Sequence, residues 1–348
     1  MTEPNTMVFM TTEHKKVTIR DVARLANVSY GTVSRFLNGS EHVSKDASER
    51  IAAAIKESKY TPNKAARSLA QQRTSTVALI IQVEASETVV QYSVSEAMSG
   101  ANTTLGDAGY QMVTLIANSE DSTKRIEQLV NSDFADGYLL FSLSEDDSLA
   151  NAFLSTNRPV VRSEVSDRGD LTYPAVDFTN ADGQRDITRY MLDKGRSHIV
   201  YVCGPGYSPA SIKRLAGFKE ALGDRFDDRQ VYFADDWEIT SGELAVFEYQ
   251  SMLSGIDGFV CANDNLAIGV INQLNRFGYR VPDDIAVTGF DDSPMAILSN
   301  PKLTTVRQDS MLHGRAMAEL LLTMLRGEPV RQYYVRLLPT TIVERQSA

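Results

Sequence analysis

Tyr30, Thr32, Ser34 and Arg35 fall in one six-residue stretch, and the apolar residues among and beside them, Val33, Phe36 and Leu37, take the spacing of one helix face. The polar set is therefore left on the other side. It consists of hydroxyls and a guanidinium rather than the Glu and Lys of an ordinary solvated face. Such groups donate to phosphate oxygens and base edges, and an Arg fork matches guanine O6 and N7 in a major groove. A protein-binding helical module is the alternative use of the same face.

Other reactive combinations carry less. Asp291-Asp292 is an acid pair, but neighbours in a turn rarely converge on one bond. Gly204-Pro205-Gly206 follows an apolar run, yet it lacks the third glycine of a dinucleotide turn and the GK[ST] of a phosphate loop. His14, His42, His198 and His313 are scattered without ligand spacing, and no Ser/His/Asp order stands out. No catalytic residue, metal or cofactor is expected. Cys203 and Cys261 both sit in apolar runs, which suits buried thiols in a reducing cytosol better than a disulfide.

The elements that would position the polar face are legible. Thr18 precedes the apolar stripe Ile19, Val22, Ala23 and Ala26, with Asp21 placed three residues on as in a capping box. That helix should stop near Asn27, and Ser29 should cap a second. Asn38-Gly39 gives the next turn, Ser44 caps a third helix on Ile51, Ala54 and Ile55, and Tyr60-Thr61-Pro62 ends it. Helix, tight turn, helix, with a third helix closing a small core, is the expected head.

Charge divides the chain in the same place. Residues 13–73 hold twelve Lys and Arg against six Asp and Glu, a net +6, whereas 74–348 carry −15 within a whole-chain charge of −10. A basic head on an acidic body fits one end meeting phosphate while the rest stays clear of it. The 348 residues, 43% of them hydrophobic, suggest two or three domains. The longest aliphatic run, Val77–Val83, falls far short of the ~20 residues a spanning helix needs, and Met1–Thr12 lacks the pattern of a leader.

The runs Val17-Thr18-Ile19-Arg20-Asp21-Val22-Ala23, Val28 through Gly39, and Tyr60-Thr61-Pro62-Asn63 closely resemble the DNA-binding head of LacI/GalR-family regulators. The resemblance implies that Ser29, Thr32 and Ser34 fix the second helix against phosphates, while Tyr30, Gly31 and Arg35 face bases, with Thr18 and Asn38 in the contacting set. Gly31 departs from the larger side chain common at its position, so water or DNA shape would act there. Asn63–Gln71 is too short to be a stable helix alone. In the family this hinge folds when two copies meet in the minor groove. Asn63, Lys64, Ala66 and Arg67 would then approach the backbone, and Leu69 would wedge into the central base step. An ordinary linker is the plain alternative.

Beyond Val77, short apolar runs (77–83, 112–116, 138–143, 160–161, 199–203, 259–262, 285–288) alternate with amphipathic stretches, the pattern of repeated βαβ units and parallel sheets that bind ligands at their strand ends. This region resembles the two-lobed effector domain of the same family, related in fold to periplasmic sugar-binding proteins. The expected organisation is a flexible extension (1–16), a helix-turn-helix domain (17–62), a hinge helix (63–73) and an effector-binding and dimerisation domain (74–348). The last has lobes of about 74–176 and 177–306, and a C-terminal segment completes both.

The family pocket falls on Glu164, Arg214, Trp237, Asn263 and Asp291. Sugar hydroxyls both donate and accept, so an Arg fork, an Asn amide and a carboxylate suit them, and Trp237 offers a flat face to a ring. Glu84-Ala85-Ser86-Glu87 lacks the family's aromatic run, and Tyr92 is the candidate to fill that wall. The expected protein is a cytoplasmic homodimeric repressor of double-stranded operator DNA, switched by a small carbohydrate and without a role at membranes. A tetramer stays open, though no heptad tail is evident after Arg345. The rivals are a purine or nucleoside effector and, in other classes, a solute-binding or sugar-processing protein.

Overall fold

The computed structural model describes residues 17–37, 42–60, 73–82, 92–132, 134–141, 148–165, 173–331 and 333–348. The chain divides into two compact units, 1–74 and 75–348. Asn38, and the segment carrying Asn63, Lys64, Ala66, Arg67 and Leu69, lie outside the described residues.

In the first unit, α1 (Ile19–Leu25) opens on the anticipated capping box. Asp21 N donates to Thr18 Oγ1 at 3.4 Å, and Thr18 N donates to Asp21 Oδ2 at 3.0 Å. Asn27 takes the left-handed conformation at φ 51°, which turns the chain out of α1. Ser29 Oγ then accepts from Thr32 N at 3.1 Å and starts α2 (Tyr30–Leu37). Ser44 caps α3 (Lys45–Ser58) by accepting from Ala47 N. Val22, Val33, Ile51 and Ala54 meet in a small buried core. Arg50 of α3 reaches back to donate to the carbonyls of Ala26 and Asn27 at 3.1 and 3.3 Å, so the third helix also holds the turn between the first two.

The second unit is two six-stranded sheets among the described residues. The first runs β11-β5-β4-β3-β1-β2 and the second β12-β10-β9-β8-β6-β7. The first sheet comprises β1 (Thr76–Gln82), β2 (Gln111–Ala117), β3 (Gly137–Phe141), β4 (Val160–Arg162), β5 (Ala175–Phe178) and β11 (Val335–Leu338). The second comprises β6 (Ile199–Cys203), β7 (Val231–Phe233), β8 (Gly258–Cys261), β9 (Ala286–Asp291), β10 (Thr304–Arg307) and β12 (Thr341–Val343). Every neighbouring pair is parallel except β10 with β12 at one edge, as the expected parallel sheets require of the rest. There the chain returns after a two-residue break and pairs antiparallel.

Alternation in β1 explains the layering. Leu79 and Ile81 pack on one side with Leu105 and Leu321, while Ala78 and Ile80 pack on the other with Ile126 and Phe153. Helices therefore cover both faces, and each such fully buried Leu, Ile or Phe contributes about 1.5–3 kcal/mol. Glycines set how closely some helices cross. A Cβ on Gly100 would strike the carbonyl of Met311, and one on Gly314 the carbonyl of Ala97, so the Tyr92–Asp107 and Ser310–Leu325 helices touch backbone to backbone.

The first sheet takes in Asp177 and Phe178 at the end of β5. The chain passes between the sheets three times, between β5 and the Asn180–Asp193 helix, between β10 and the Ser310–Leu325 helix, and between β11 and β12. Thr179 and Thr340 tie two of these crossings together, with their hydroxyl oxygens 3.2 Å apart.

Candidate functional site

In the head, α2 presents the polar face read from the sequence. Tyr30 and Arg35 are exposed, Thr32 and Ser34 are half-buried, and the Ser29 and Thr32 hydroxyls lie 2.8 Å apart at the helix start. Free N–H groups and hydroxyls at a helix N-terminus suit a phosphate. At Gly31 a Cβ would meet only ordinary contacts, Ser29 Oγ at 3.8 Å and Arg35 Nη2 at 3.9 Å. The helix therefore does not require glycine there, and the absent side chain leaves the face open beside Arg35.

In the body, one cavity of about 130 Å³ is lined by Glu164, Arg214, Trp237, Asn263 and Asp291, which the fold brings together from both sheets. That volume is well above the ~10–15 Å³ at which a cavity first admits a single water. Tyr92 is not among the lining residues. It begins its helix at an exposed position, and the next two residues, Ser93 and Val94, form that wall with Phe141 and Phe178.

Arg214 is 4% exposed and turned inward. Its Nε donates to Asn180 Oδ1 at 2.9 Å, Nη1 to the Ala262 carbonyl and Nη2 to Gln308 Oε1 at 3.3 Å, and the guanidinium lies 3.7 Å above the Phe290 ring. Three of its five N–H donors are thus used within the protein. Asn263 is likewise half committed. Its Oδ1 caps the Asp264–Arg276 helix by accepting from Leu266 N at 2.8 Å, and its Nδ2 donates to the Trp237 carbonyl at 3.1 Å. Trp237 packs partly on the core of the second sheet while keeping a face in the cavity. Gly204 permits this, because a Cβ there would collide with the indole and lie 2.7 Å from Ser211 Oγ.

Asp291 accepts from Gln308 Nε2 at 2.7 Å through Oδ1, which also lies 3.6 Å from Arg214 Nη1, and Oδ2 is left for a ligand. Burial raises its pKa to about 6 against the pull of Arg214. Behind it Asp264, 1% exposed, accepts from Thr305 Oγ1 and from Ser293 N, both at 2.6 Å, and so anchors the loop after β9. Burial, then the Asp291 charge, raises Asp264 to about 8. Across the cavity, burial and then Asp177 raise Glu164 to about 7, opposed by Lys213, Arg162 and Arg214.

Several lining residues were not anticipated. Asn180 and Gln308 sit at the sheet-to-sheet crossings and hold Arg214 and Asp291. His313 is buried against Phe141 and Phe178 with Nε2 2.8 Å from the Val176 carbonyl, and burial lowers its pKa against the backbone hydrogen bonds to Val176 and Ser163. Lys213 reaches from the second lobe to Asp177 at 2.7 Å and to the Val165 carbonyl, bridging the lobes beside Glu164. The lining combines carboxylates, amides, hydroxyls and the Arg214 guanidinium with the aromatic rings of Phe141, Phe178 and Trp237.

A helix-turn-helix head carried on a two-lobed domain with an interlobe cavity defines a class, the ligand-controlled transcriptional regulators. Residues 18–63 match the model of bacterial regulatory proteins of the lacI family, and residues 188–348 match that of the periplasmic binding protein-like domain. The chain is 34% identical over 326 residues to the HTH-type transcriptional regulator CelR of Thermobifida fusca, covering 91% of this chain and 95% of that protein. It is 29% identical to the lactose operon repressor of Escherichia coli K12, covering 96% and 91%. Among solved structures, the CelR–cellobiose complex superposes with a TM-score of 0.75 at 31% identity over 96% of this chain and 100% of that one. The lac repressor dimer bound to operator and the anti-inducer ONPF gives 0.83 at 27% identity, over 96% and 99%. The chain belongs to the LacI family of bacterial regulatory proteins. It is a DNA-binding transcriptional regulator, not an enzyme.

Proposed function

We propose that the protein is a cytoplasmic homodimeric repressor whose affinity for operator DNA is set by a small carbohydrate in the interlobe cavity. The observation that carries this reading is the cavity itself. Asp291 Oδ2 and Glu164 supply acceptors, Arg214 and Asn263 keep unused donors, and Trp237 gives a ring face, an assortment suited to vicinal hydroxyls. Support comes from the relatives, since CelR has been solved with cellobiose and the lac repressor as a dimer on operator DNA.

In this reading Ser29, Thr32, Ser34, Thr18 and Asn38 hold the head on phosphates, and Tyr30 and Arg35 reach base edges beside the open position at Gly31. Asn63, Lys64, Ala66 and Arg67 follow the backbone toward the minor groove, and Leu69 enters the central base step. A ligand that draws the lobes together acts on the three crossings, because Asn180 and Gln308 sit on two of them. The domain limits of 17–62, 63–73 and 74–348 follow the same assignment. No helix among the described residues is long and apolar enough to cross a membrane.

Isothermal calorimetry of the full chain against saccharides, nucleosides and hypoxanthine tests the effector class. A saccharide should bind, and Asp291→Ala should abolish that binding. A response to hypoxanthine or a nucleoside alone would overturn the carbohydrate assignment.

A further inference from the structure

Past the end of β4, Ser163 N still donates to the Leu140 carbonyl at 2.9 Å, and Glu164 and Val165 follow. Glu164 lines the cavity, and among the described residues its carboxylate accepts no hydrogen bond and makes no ion pair. Its place in the wall therefore depends on Val165, which is bound through both of its backbone groups. The Val165 N–H donates to Asp177 Oδ2 at 3.1 Å, and the Val165 carbonyl accepts from Lys213 Nζ at 2.5 Å.

Lys213 belongs to the other lobe. It sits on the Pro209–Leu222 helix, one residue before Arg214, yet it is not among the residues that line the cavity. The same ammonium lies 2.7 Å from Asp177 Oδ2. Asp177 is 3% exposed on β5, and its Oδ1 accepts from Phe178 N at 2.7 Å and from Asn180 Nδ2 at 3.1 Å. A buried carboxylate needs donors and an opposite charge, and Lys213 supplies the charge from across the lobe boundary. Because Asn180 also accepts from Arg214 Nε, one hub on Asp177 reaches both Glu164 and the guanidinium.

We propose that Lys213 is a positioning residue of the effector site, a clasp across the lobes that fixes Glu164 in the cavity wall and holds the second lobe to it before any ligand binds. The role is independent of which ligand class the cavity takes. Without the ammonium, Val165 keeps one backbone tie of two, and Asp177 is left buried with its charge uncompensated.

Two readouts on the ligand-free, full-length protein test it. Amide exchange read by mass spectrometry follows residues 163–165, and acrylamide quenching follows Trp237, the single tryptophan of the chain, which lines the cavity. In Lys213→Met, exchange at 163–165 should quicken roughly tenfold and quenching should rise about twofold, while amides of β6, in the core of the second lobe, stay within about twofold of the parent. Lys213→Arg keeps the charge and the donors, so it should restore both readouts. The double variant Lys213→Met with Asp177→Asn removes the stranded charge and should show the same local loosening in a chain that remains folded. Unchanged exchange at 163–165 in both Met variants overturns the clasp. So does an equal rise in β6, which would be general loosening, or a Lys213→Arg protein that behaves like Lys213→Met.

Discussion

Asp291 is a good acceptor for hydroxyl protons only when ionised, and burial has moved that condition up to about pH 6. The sign follows directly. A ligand that donates to the carboxylate binds fully above pH 6, and below it must first displace a proton. Effector affinity is therefore expected to fall about tenfold between pH 7 and pH 5, and calorimetry across that range checks it. Asp291→Asn should reduce the dependence to the part carried by Glu164, which burial raises to about 7 in the same cavity, and weaken binding by roughly ten- to a hundredfold, the effect of losing a charge-assisted hydrogen bond worth ~1.5–3 kcal/mol. For stability the same raised values act the other way. Glu164, Asp264 and Asp291 hold protons in the folded chain that an unfolded one has released, so their burial cost is absent below the ordinary carboxylate range and grows as pH rises through about 6 to 8. At Gly31, where a methyl meets no obstacle, Gly31→Ala should stabilise α2 by up to ~1 kcal/mol. Amide exchange in that helix should slow up to about fivefold, and the preferred operator should change because the new methyl lies beside Arg35. Residue chemistry was legible in the sequence for Asp291, Trp237, Asn263 and Glu164, which all line the cavity. Arg214 was legible as a member of the site but not as its internal brace, because its partners Asn180, Ala262 and Gln308 are distant in sequence.

At the scale of elements, local signals read correctly, while the partners of short strands were not written in the sequence. The Thr18 box, the left-handed Asn27 and the Ser44 cap depend on neighbours three residues away or fewer, and each stands where its residue type required. Strands β7 and β12 are only three residues long, too short to show a pleat, so only their partners in the sheet define them. The same reason hid Asn180, Gln308 and His313, which reach the cavity because the chain crosses between the sheets beside them. In the proposed function the hinge assigned to residues 63–73 belongs to this scale as well, since so short a helix would need an external partner to form. Leu69→Ala should weaken operator binding at least tenfold while leaving effector affinity unchanged. Parallel anisotropy and calorimetric titrations separate the two, and unchanged operator binding would remove the wedge from the account.

The whole molecule joins a +6 head to a −15 body, so its contact with DNA is confined to one end and should weaken steeply with added salt. The cavity draws residues from both sheets and from two of the three crossings, so a bound ligand acts on the relation between the lobes and not on either alone. Coupling of this kind between two sites is worth ~1–3 kcal/mol, or about five- to 150-fold in affinity. The central claim is that occupancy of the cavity controls the grip on DNA, and fluorescence anisotropy of a promoter fragment titrated with the full-length protein tests it most directly. With the saccharide that calorimetry identifies at saturation, the operator Kd should shift at least fivefold, and Asp291→Asn should bind the operator normally at low saccharide while losing the shift. An operator Kd that is the same with and without that saccharide, or no preference for the promoter over a scrambled duplex, would contradict it.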